Sequence, residues 1–163
     1  MKEAVTPYRE ALSGKDVKQD SDWIIRLGFL VHDAARLRRV VIDEKFKPLE
    51  ITRSQAWLMA YVSREDGQTQ SDLAKQMSLG KVAIGGLIDR LEKTQMIERR
   101  AELTDRRVRK IFLTEKGKKV ILMMRDITME ANDTILAGLS IKQIKQAVKV
   151  LDKIKKNIES IID

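Results

Sequence analysis

The chain has 163 residues, of which 43% are hydrophobic and 34% charged, and its formal net charge is +8. This length allows one domain with a real core, and the basic balance favours polyanionic partners, although a solvated lysine-rich surface explains the charge equally well. Cysteine is absent, which excludes disulfides and thiol-based redox sensing. No signal core opens the chain and no apolar run approaches membrane-span length, so we expect a cytoplasmic protein without a membrane partner.

A loose arm and a long helix are predicted first. Residues 1–19 are polar and mixed in charge. Apolar residues then recur at helical spacing over about 23–41, and Asp20 or Ser21 can cap the helix. The segment KFKPLEI ends this helix, because Pro48 disfavours a helical residue before it.

Three helices and a β-hairpin are predicted in the middle of the chain. Two of the helices begin with the spacing of a capping box, in which Gln55 follows Thr52 and Asp72 follows Thr69. EDGQ predicts a turn between these two helices, and SLG separates the second from a longer helix. The predicted elements are TRSQAWLMAYVSR, a short helix ending near residue 77, a helix over 81–93, and strands near 97–100 and 108–113.

Two long helices are predicted in the C-terminal third. Thr114 with Gly117 opens the first, which ends near Gly138, and Ser140 caps the second. Apolar residues of the last helix are spaced three or four apart, as in a coiled-coil seam, and its outer face is lysine-rich. This seam could pack on its own domain, but we favour homodimerisation with both ends of a second copy. The seam consists of Ile141, Ile144, Val148, Leu151, Ile154, Ile158 and Ile161.

The strongest functional signal is a helix-turn-helix over about 69–93. Such a motif needs a short positioning helix and a second helix presented to the major groove. Apolar residues such as Leu73 and Leu87 can pack both helices inward, which leaves the start of the second helix exposed to base edges and phosphates. The residues predicted to contact DNA here are Ser78, Lys81, Val82, Ala83, Gly85 and Arg90.

A basic hairpin follows the two helices directly. Between residues 96 and 119 there are nine Lys/Arg and four Asp/Glu, an excess of five positive charges. Asp105 can hold the guanidinium of Arg107 by a charge-assisted hydrogen bond, and an arginine held in this way suits a minor groove. The alternative is a solvated basic hairpin. The residues predicted to act at this hairpin are Asp105, Arg106, Arg107 and Arg109.

Over about residues 22–117 the chain resembles MarR-type winged-helix transcription regulators. The resemblance rests on LGFLVHDAARLRR, ITRSQAWLMAYV, QSDLAKQM, GLIDRLEKTQMIERR and DRRVRKIFLTEKG. It implies an α+β, mainly α fold in which each subunit of a homodimer carries one winged helix-turn-helix. It also implies that Asp105 and Arg107 are the wing pair. The corresponding division is an arm and dimerisation helix over 1–50, a DNA-binding lobe over 51–116 and dimerisation helices over 117–163.

Two features depart from the family pattern. Gly85 and Gly86 stand where many relatives have threonine or arginine, and each glycine costs roughly 1 kcal/mol relative to alanine inside a helix. They either allow close approach of the backbone to DNA or leave a helix that becomes rigid only on binding, and both reduce base readout by side chains. The hairpin carries AELT instead of a proline-rich run, and Thr104 replaces a frequent arginine.

The resemblance places ligand sites between the dimerisation helices and the winged-helix lobe. His32, the single histidine, could donate to a phenol or carboxylate, or be a structural histidine at the dimer interface. Arg36, one turn later, could pair with a carboxylate, or only with a neighbouring acid such as Asp33. Trp57 and Met123 could line a pocket, although the core is the favoured place for both types of residue.

These features predict a ligand-responsive, sequence-specific DNA-binding regulator. We expect a homodimeric repressor on a pseudo-palindromic operator, released by a small aromatic carboxylate or its thioester. The alternative is a winged-helix protein-interaction module with no small-molecule effector, which the two glycines favour. An enzyme is disfavoured, because His32 has no nucleophile or metal partner at a recognised spacing and no phosphate-binding glycine loop occurs; no cofactor or metal is expected.

Overall fold

The computed structural model describes residues 17–102 and 108–162, with side chains from residue 22 onwards. This part of the chain contains six α-helices and one three-stranded sheet, so the predicted α+β, mainly helical fold is confirmed. In chain order the elements are α1 (Val17–Phe46), a 3-10 turn (Lys47–Leu49), α2 (Arg53–Arg64), β1 (Gln68–Thr69), α3 (Gln70–Gln76), α4 (Lys81–Lys93), β2 (Ile97–Ala101), β3 (Arg109–Leu113), α5 (Glu115–Ile135) and α6 (Ile141–Ile162).

Hydrogen-bonding side chains set the starts of three helices. Thr52 and Thr69 each accept a hydrogen bond from the backbone three residues on, and both capping boxes are complete. Ser140 and Gln143 exchange the same pair of bonds before α6. Because these bonds are local, the sequence spacing predicts the two threonine boxes and the cap at Ser140; the return bond from Gln143 was not predicted.

The first helix extends further than its apolar period suggests. Residues 17–20 are already helical, so the prediction that Asp20 or Ser21 caps α1 is wrong. The apolar repeat marks only part of the helix, and polar turns continue it towards the N-terminus. At the other end Pro48 lies in the 3-10 turn directly after Phe46, where the helix was predicted to end.

One apolar core joins α2, the helix-turn-helix and the sheet. The predicted inward-facing residues of α3 and α4 are buried, except Met77, which is half-buried. Ile84, which the sequence analysis left out of the core, is fully buried and anchors the first half of α4. The largest fully buried side chains are Leu58, Met59, Val62, Leu73, Ile84, Ile88, Leu91, Ile97 and Ile111.

The sheet contains a strand that the sequence analysis missed. Its order is β1-β3-β2 with both pairings antiparallel, and Gln68 of β1 lies opposite Ile111 of β3. The EDGQ turn therefore ends one residue early, because Gln68 already belongs to β1. A two-residue strand carries no alternation that could reveal it. It joins the chain just before α3 to the β2–β3 hairpin, which we call the wing (residues 97–113).

Helix α5 starts in close contact with the wing. A Cβ atom at Gly117 would lie 1.9 Å from the backbone oxygen of Met96, so only glycine fits at this position. Thr114 caps the helix by accepting from the Gly117 N–H at 3.0 Å, and its hydroxyl donates to the Gln95 carbonyl at 2.6 Å. This contact fixes the direction in which α5 leaves the lobe.

The two terminal helices expose apolar surfaces. Trp23, Phe29 and Leu30 of α1 are all more than half exposed. None of the side chains described for α6 is buried, and within the predicted seam only Ile144 and Ile154 are partly covered. Among the described residues, we find no helix with the length and apolar content needed to cross a bilayer.

Candidate nucleic-acid interface and effector cavity

Backbone hydrogen bonds fix the turn between α3 and α4. Ser78 adopts a left-handed conformation with φ 52°. Its N–H donates to the Lys75 carbonyl at 3.1 Å, and the Leu79 N–H donates to the Ala74 carbonyl at 3.0 Å. These two bonds form the Schellman arrangement that closes a helix C-terminus. The predicted contact residue Ser78 therefore lies exposed on a well-defined turn.

The first turn of α4 projects three of the predicted DNA-contacting side chains. Lys81, Val82 and Ala83 are all exposed, while Ile84 behind them is fully buried. Val82 is 91% exposed, which is unusual for an aliphatic side chain on a folded lobe. Lys81 can hold a phosphate, and the small apolar pair beside it suits contact with a thymine methyl group.

The two glycines of α4 have different surroundings. Gly85 is half-buried and faces α3, where a Cβ atom would lie 3.1 Å from Nε2 of Gln70. Gly86 has more space, since its nearest such neighbour is Nη1 of Arg90 at 3.9 Å. Arg90 itself is exposed one turn further along the helix.

Arg99 joins the wing to α4. Its guanidinium hydrogen-bonds the carboxylates of Asp89 and Glu92, and its backbone N–H donates to Glu92 at 3.1 Å. Partial burial alone would lower the pKa of Arg99, but the two carboxylates raise it above its ordinary value. The sequence analysis missed this residue. Its signal was the pair of acids three residues apart on α4, facing a basic strand.

Only one of the four predicted wing residues can be placed. Arg109 is exposed as the first residue of β3, opposite Ala101. Asp105, Arg106 and Arg107 lie outside the described residues, as does Thr104. Next to Arg109 along the chain, Lys110 forms an ion pair with Glu102.

A cavity of about 530 Å³ lies between α1, α2 and the turn before α4. Its lining includes two arginines, Arg39 and Arg53, of which Arg53 also donates to Asp43 at 2.9 Å, and the rings of Trp57 and Tyr61, whose centroids are 6.1 Å apart. Trp57 is 49% exposed, so the core position favoured for it is wrong. We take this cavity as the candidate effector site and call it the effector cavity; its lining is Arg39, Arg53, Ser54, Trp57, Tyr61, Gln76, Met77 and Leu79.

Of the predicted ligand residues, only Trp57 lines the effector cavity. His32 is exposed on α1, and Arg36 forms the surface ion pair with Asp33 at 3.3 Å. Met123 is exposed on α5, whereas the next residue, Met124, is buried beside a second cavity of about 200 Å³ on the α1 and α5 side of Trp57. Two arginines that do line the effector cavity, Arg39 and Arg53, were not predicted. Choosing among the arginines of α1 requires knowing which face of that helix packs against α2.

A chain of amides leads from the effector cavity into the sheet. Gln76, in the cavity wall, donates to Oε1 of Gln68 at 2.6 Å. Nε2 of Gln68 in turn donates to the backbone carbonyls of Tyr61 and Glu65, both at 3.0 Å. Gln68 is 5% exposed and is the one buried polar side chain within the described residues. The cavity wall, α2 and β1 therefore share one hydrogen-bond network.

No metal centre is evident in the part of the chain that the structure describes, where no three His, Asp or Glu side chains are grouped to hold an ion.

Comparison with known proteins agrees with this architecture. Residues 51–108 match the model of the MarR family. The transcriptional regulator SlyA is similar at 27% identity over 84% of this chain and 94% of its own, with a TM-score of 0.71. A MarR transcriptional regulator from Methanosarcina mazei Go1 is 26% identical over 83% of this chain and 97% of its own, with a TM-score of 0.74. The F27L mutant of S. aureus MepR, solved bound to an oligodeoxyribonucleotide, is 26% identical over 81% of this chain and 97% of its own, with a TM-score of 0.58.

The helix-turn-helix with its β-wing is thus a winged helix. The part of the chain that matches the MarR family model is residues 51–108. Over most of its length the chain is similar to MarR-type winged-helix transcriptional regulators. The family resemblance drawn from the sequence is confirmed.

Proposed function

We propose that this chain is a sequence-specific repressor that binds a pseudo-palindromic operator through α4 and the wing. The carrying observation is that Arg99 holds β2 of the wing against the second half of α4, which fixes the wing relative to the helix that exposes its first turn. In this proposal α4 enters the major groove, with Val82 and Ala83 towards the bases and Lys81 and Ser78 on phosphates. Arg107, held by Asp105, enters the neighbouring minor groove, with Arg106 and Arg109 on the backbone. The oligonucleotide complex of the MepR relative supports this role.

The proposed assembly is a homodimer acting in the cytoplasm. Exposed apolar faces on α1 and α6 support it, since a second copy would cover both. Residues 1–50 and 117–163 would then form the dimerisation region, and 51–116 the DNA-binding lobe. No catalytic role is proposed.

The proposed effector is an aromatic carboxylate, or its thioester, bound in the effector cavity. Arg39 and Arg53 would hold the anion, and the rings of Trp57 and Tyr61 would cover its aromatic face. Gln76 and Leu79 bracket the turn that leads into α4, so an occupant contacts the segment that sets the recognition helix. An effector that binds better when this turn is displaced would shift the protein towards a form with lower operator affinity.

The DNA part of the proposal is tested by fluorescence anisotropy with two duplexes, the DNA upstream of the gene that encodes this chain and a scrambled sequence. We expect tight binding to the former only, with affinity falling steeply as salt rises. Removing one phosphate contact with Lys81→Ala should weaken binding and reduce the salt slope by about one. Lys149→Ala, on the polar side of α6, removes the same charge away from the DNA-binding surface and serves as the control. Weak binding to both duplexes alike would instead favour a protein-interaction module.

The effector part is tested by thermal shift with aromatic acids and their coenzyme A thioesters, followed by release of bound operator. We expect the hits to lose their effect in Arg39→Ala and Arg53→Ala. Arg36→Ala is the matched control on α1, because Arg36 pairs with Asp33 away from the cavity. A chain that responds to none of these compounds, or that loses its response only in Arg36→Ala, would contradict this site.

A further inference from the structure

Gln70 is the one α3 side chain that hydrogen-bonds the first turn of α4. It is the first residue of α3, and its Nε2 donates to the Lys81 carbonyl at 3.1 Å. The same Nε2 atom lies 3.1 Å from the Cβ position of Gly85, closer than an ordinary van der Waals contact. The amide therefore fills the space that this glycine leaves open.

This contact acts on the part of α4 that carries the exposed side chains. Lys81 begins the helix, and Val82 and Ala83 follow it at the surface. A bond from α3 to the Lys81 carbonyl restrains the angle between the two helices at that end. The buried Ile84 anchors the same turn in the core.

We propose that Gln70 is a positioning residue for the recognition helix, and that position 85 is glycine because the Gln70 amide needs its space. The DNA part of this inference rests on the proposed function. It gives the two glycines separate roles. A Cβ atom at position 85 would press on the Gln70 amide, whereas one at position 86 would lie 3.9 Å from its nearest neighbour, in ordinary contact.

A thermal double-mutant cycle tests the contact without DNA. In the wild-type background Gly86→Ala should raise the unfolding temperature by about 2–4 °C, because alanine is the better helix former. Gly85→Ala should raise it less, or lower it, because the new methyl group displaces the Gln70 amide. In a Gln70→Ala background, Gly85→Ala should raise the unfolding temperature by as much as Gly86→Ala does in the wild type. Equal effects of Gly85→Ala in the two backgrounds would overturn the assignment of position 85.

The positioning role is tested with Gln70→Glu, which keeps the shape but sets an acceptor against the Lys81 carbonyl. Operator affinity should fall roughly ten-fold or more, about 1.4 kcal/mol, while affinity for a scrambled duplex changes little. Gln146→Glu on α6 makes the same charge change and should leave the ratio of the two affinities unaltered.

The two measurements separate the possible failures. An unchanged affinity ratio in Gln70→Glu, together with thermal coupling, would overturn the positioning role and leave a purely structural contact. A wild-type chain that binds no duplex would overturn the proposed function, and the thermal cycle would still decide whether Gln70 explains Gly85.

Discussion

Individual polar side chains hold the lobe together at points where helices and strands meet. Gln68 is the clearest example, since it reaches two carbonyls near the end of α2 and accepts from Gln76 of α3. A buried amide of this kind contributes little net stability while its bonds are made, but it leaves costly unpaired groups when it is removed. Removing the Gln68 side chain should therefore lower the free energy of unfolding by more than its own net contribution.

Replacing Gln68 with alanine is expected to lower the free energy of unfolding by about 2–4 kcal/mol. The carbonyls of Tyr61 and Glu65 would lose a donor in a site that is shielded from water. Chemical denaturation at a fixed protein concentration measures the change. Gln146→Ala, at an exposed position on α6, should stay within about 0.5 kcal/mol of wild type. Equal stability of the two variants would refute the role assigned to Gln68.

Which of these side-chain contacts could be predicted depends on their distance along the chain. The caps formed by Thr52 and Thr69 join residues three apart, so their spacing alone is informative. The bonds of Gln68, Gln70 and Arg99 join different elements, and their partners depend on how those elements pack. Arg99 has one sequence signal, the pair of acids on α4, but no local pattern distinguishes Gln68 and Gln70 from solvated side chains.

Elements of the lobe are joined by close backbone packing as well as by side chains. Helix α5 begins where β2 does, and Gly117 lets the two approach so closely that a methyl group has no room. Helix periodicity predicted α4 at its observed bounds, because its apolar face is regular. It could not predict β1, which has two residues and gains its stability from pairing with β3.

Gly117→Ala should lower the free energy of unfolding by about 3 kcal/mol or more, because the obstructing atom is a backbone oxygen that cannot move aside alone. Gly28→Ala is the matched control, since no heavy atom of the described residues lies within 4 Å of its Cβ position. It should stabilise α1 by up to about 1 kcal/mol. Thermal unfolding of both variants measures the pair, and a Gly117→Ala variant as stable as wild type would contradict the close approach of α5 to β2.

On the scale of the whole molecule, the lobe is well packed and the terminal helices are not. The core residues belong to the lobe and the segments that meet it, whereas α6 exposes Ile141, Val148 and Leu151 on one face. Exposed apolar area of this extent indicates an interface. The sequence periodicity predicted the seam. An apolar face does not by itself identify what covers it, so the homodimer stays a proposal.

Leu151→Lys should convert a dimer into a monomer, because it places a charge in the proposed seam. Sedimentation should then give the mass of one 18.7 kDa chain, and the unfolding temperature should no longer depend on protein concentration. Gln146→Lys adds the same charge on the polar side of α6 and should remain dimeric. A wild-type chain that already sediments as a monomer would exclude the homodimer.

The short strand β1 has a consequence for how such a regulator would dissociate from DNA. By pairing with β3 just before α3 begins, it couples the wing to the helix pair, and Arg99 couples the wing to α4 from the other side. Neither part can swing away by itself without breaking that pairing. In the proposed homodimer, displacing the turn before α4 would therefore move the lobe as one body, so the quantity that an effector would change is the span between the two half-sites.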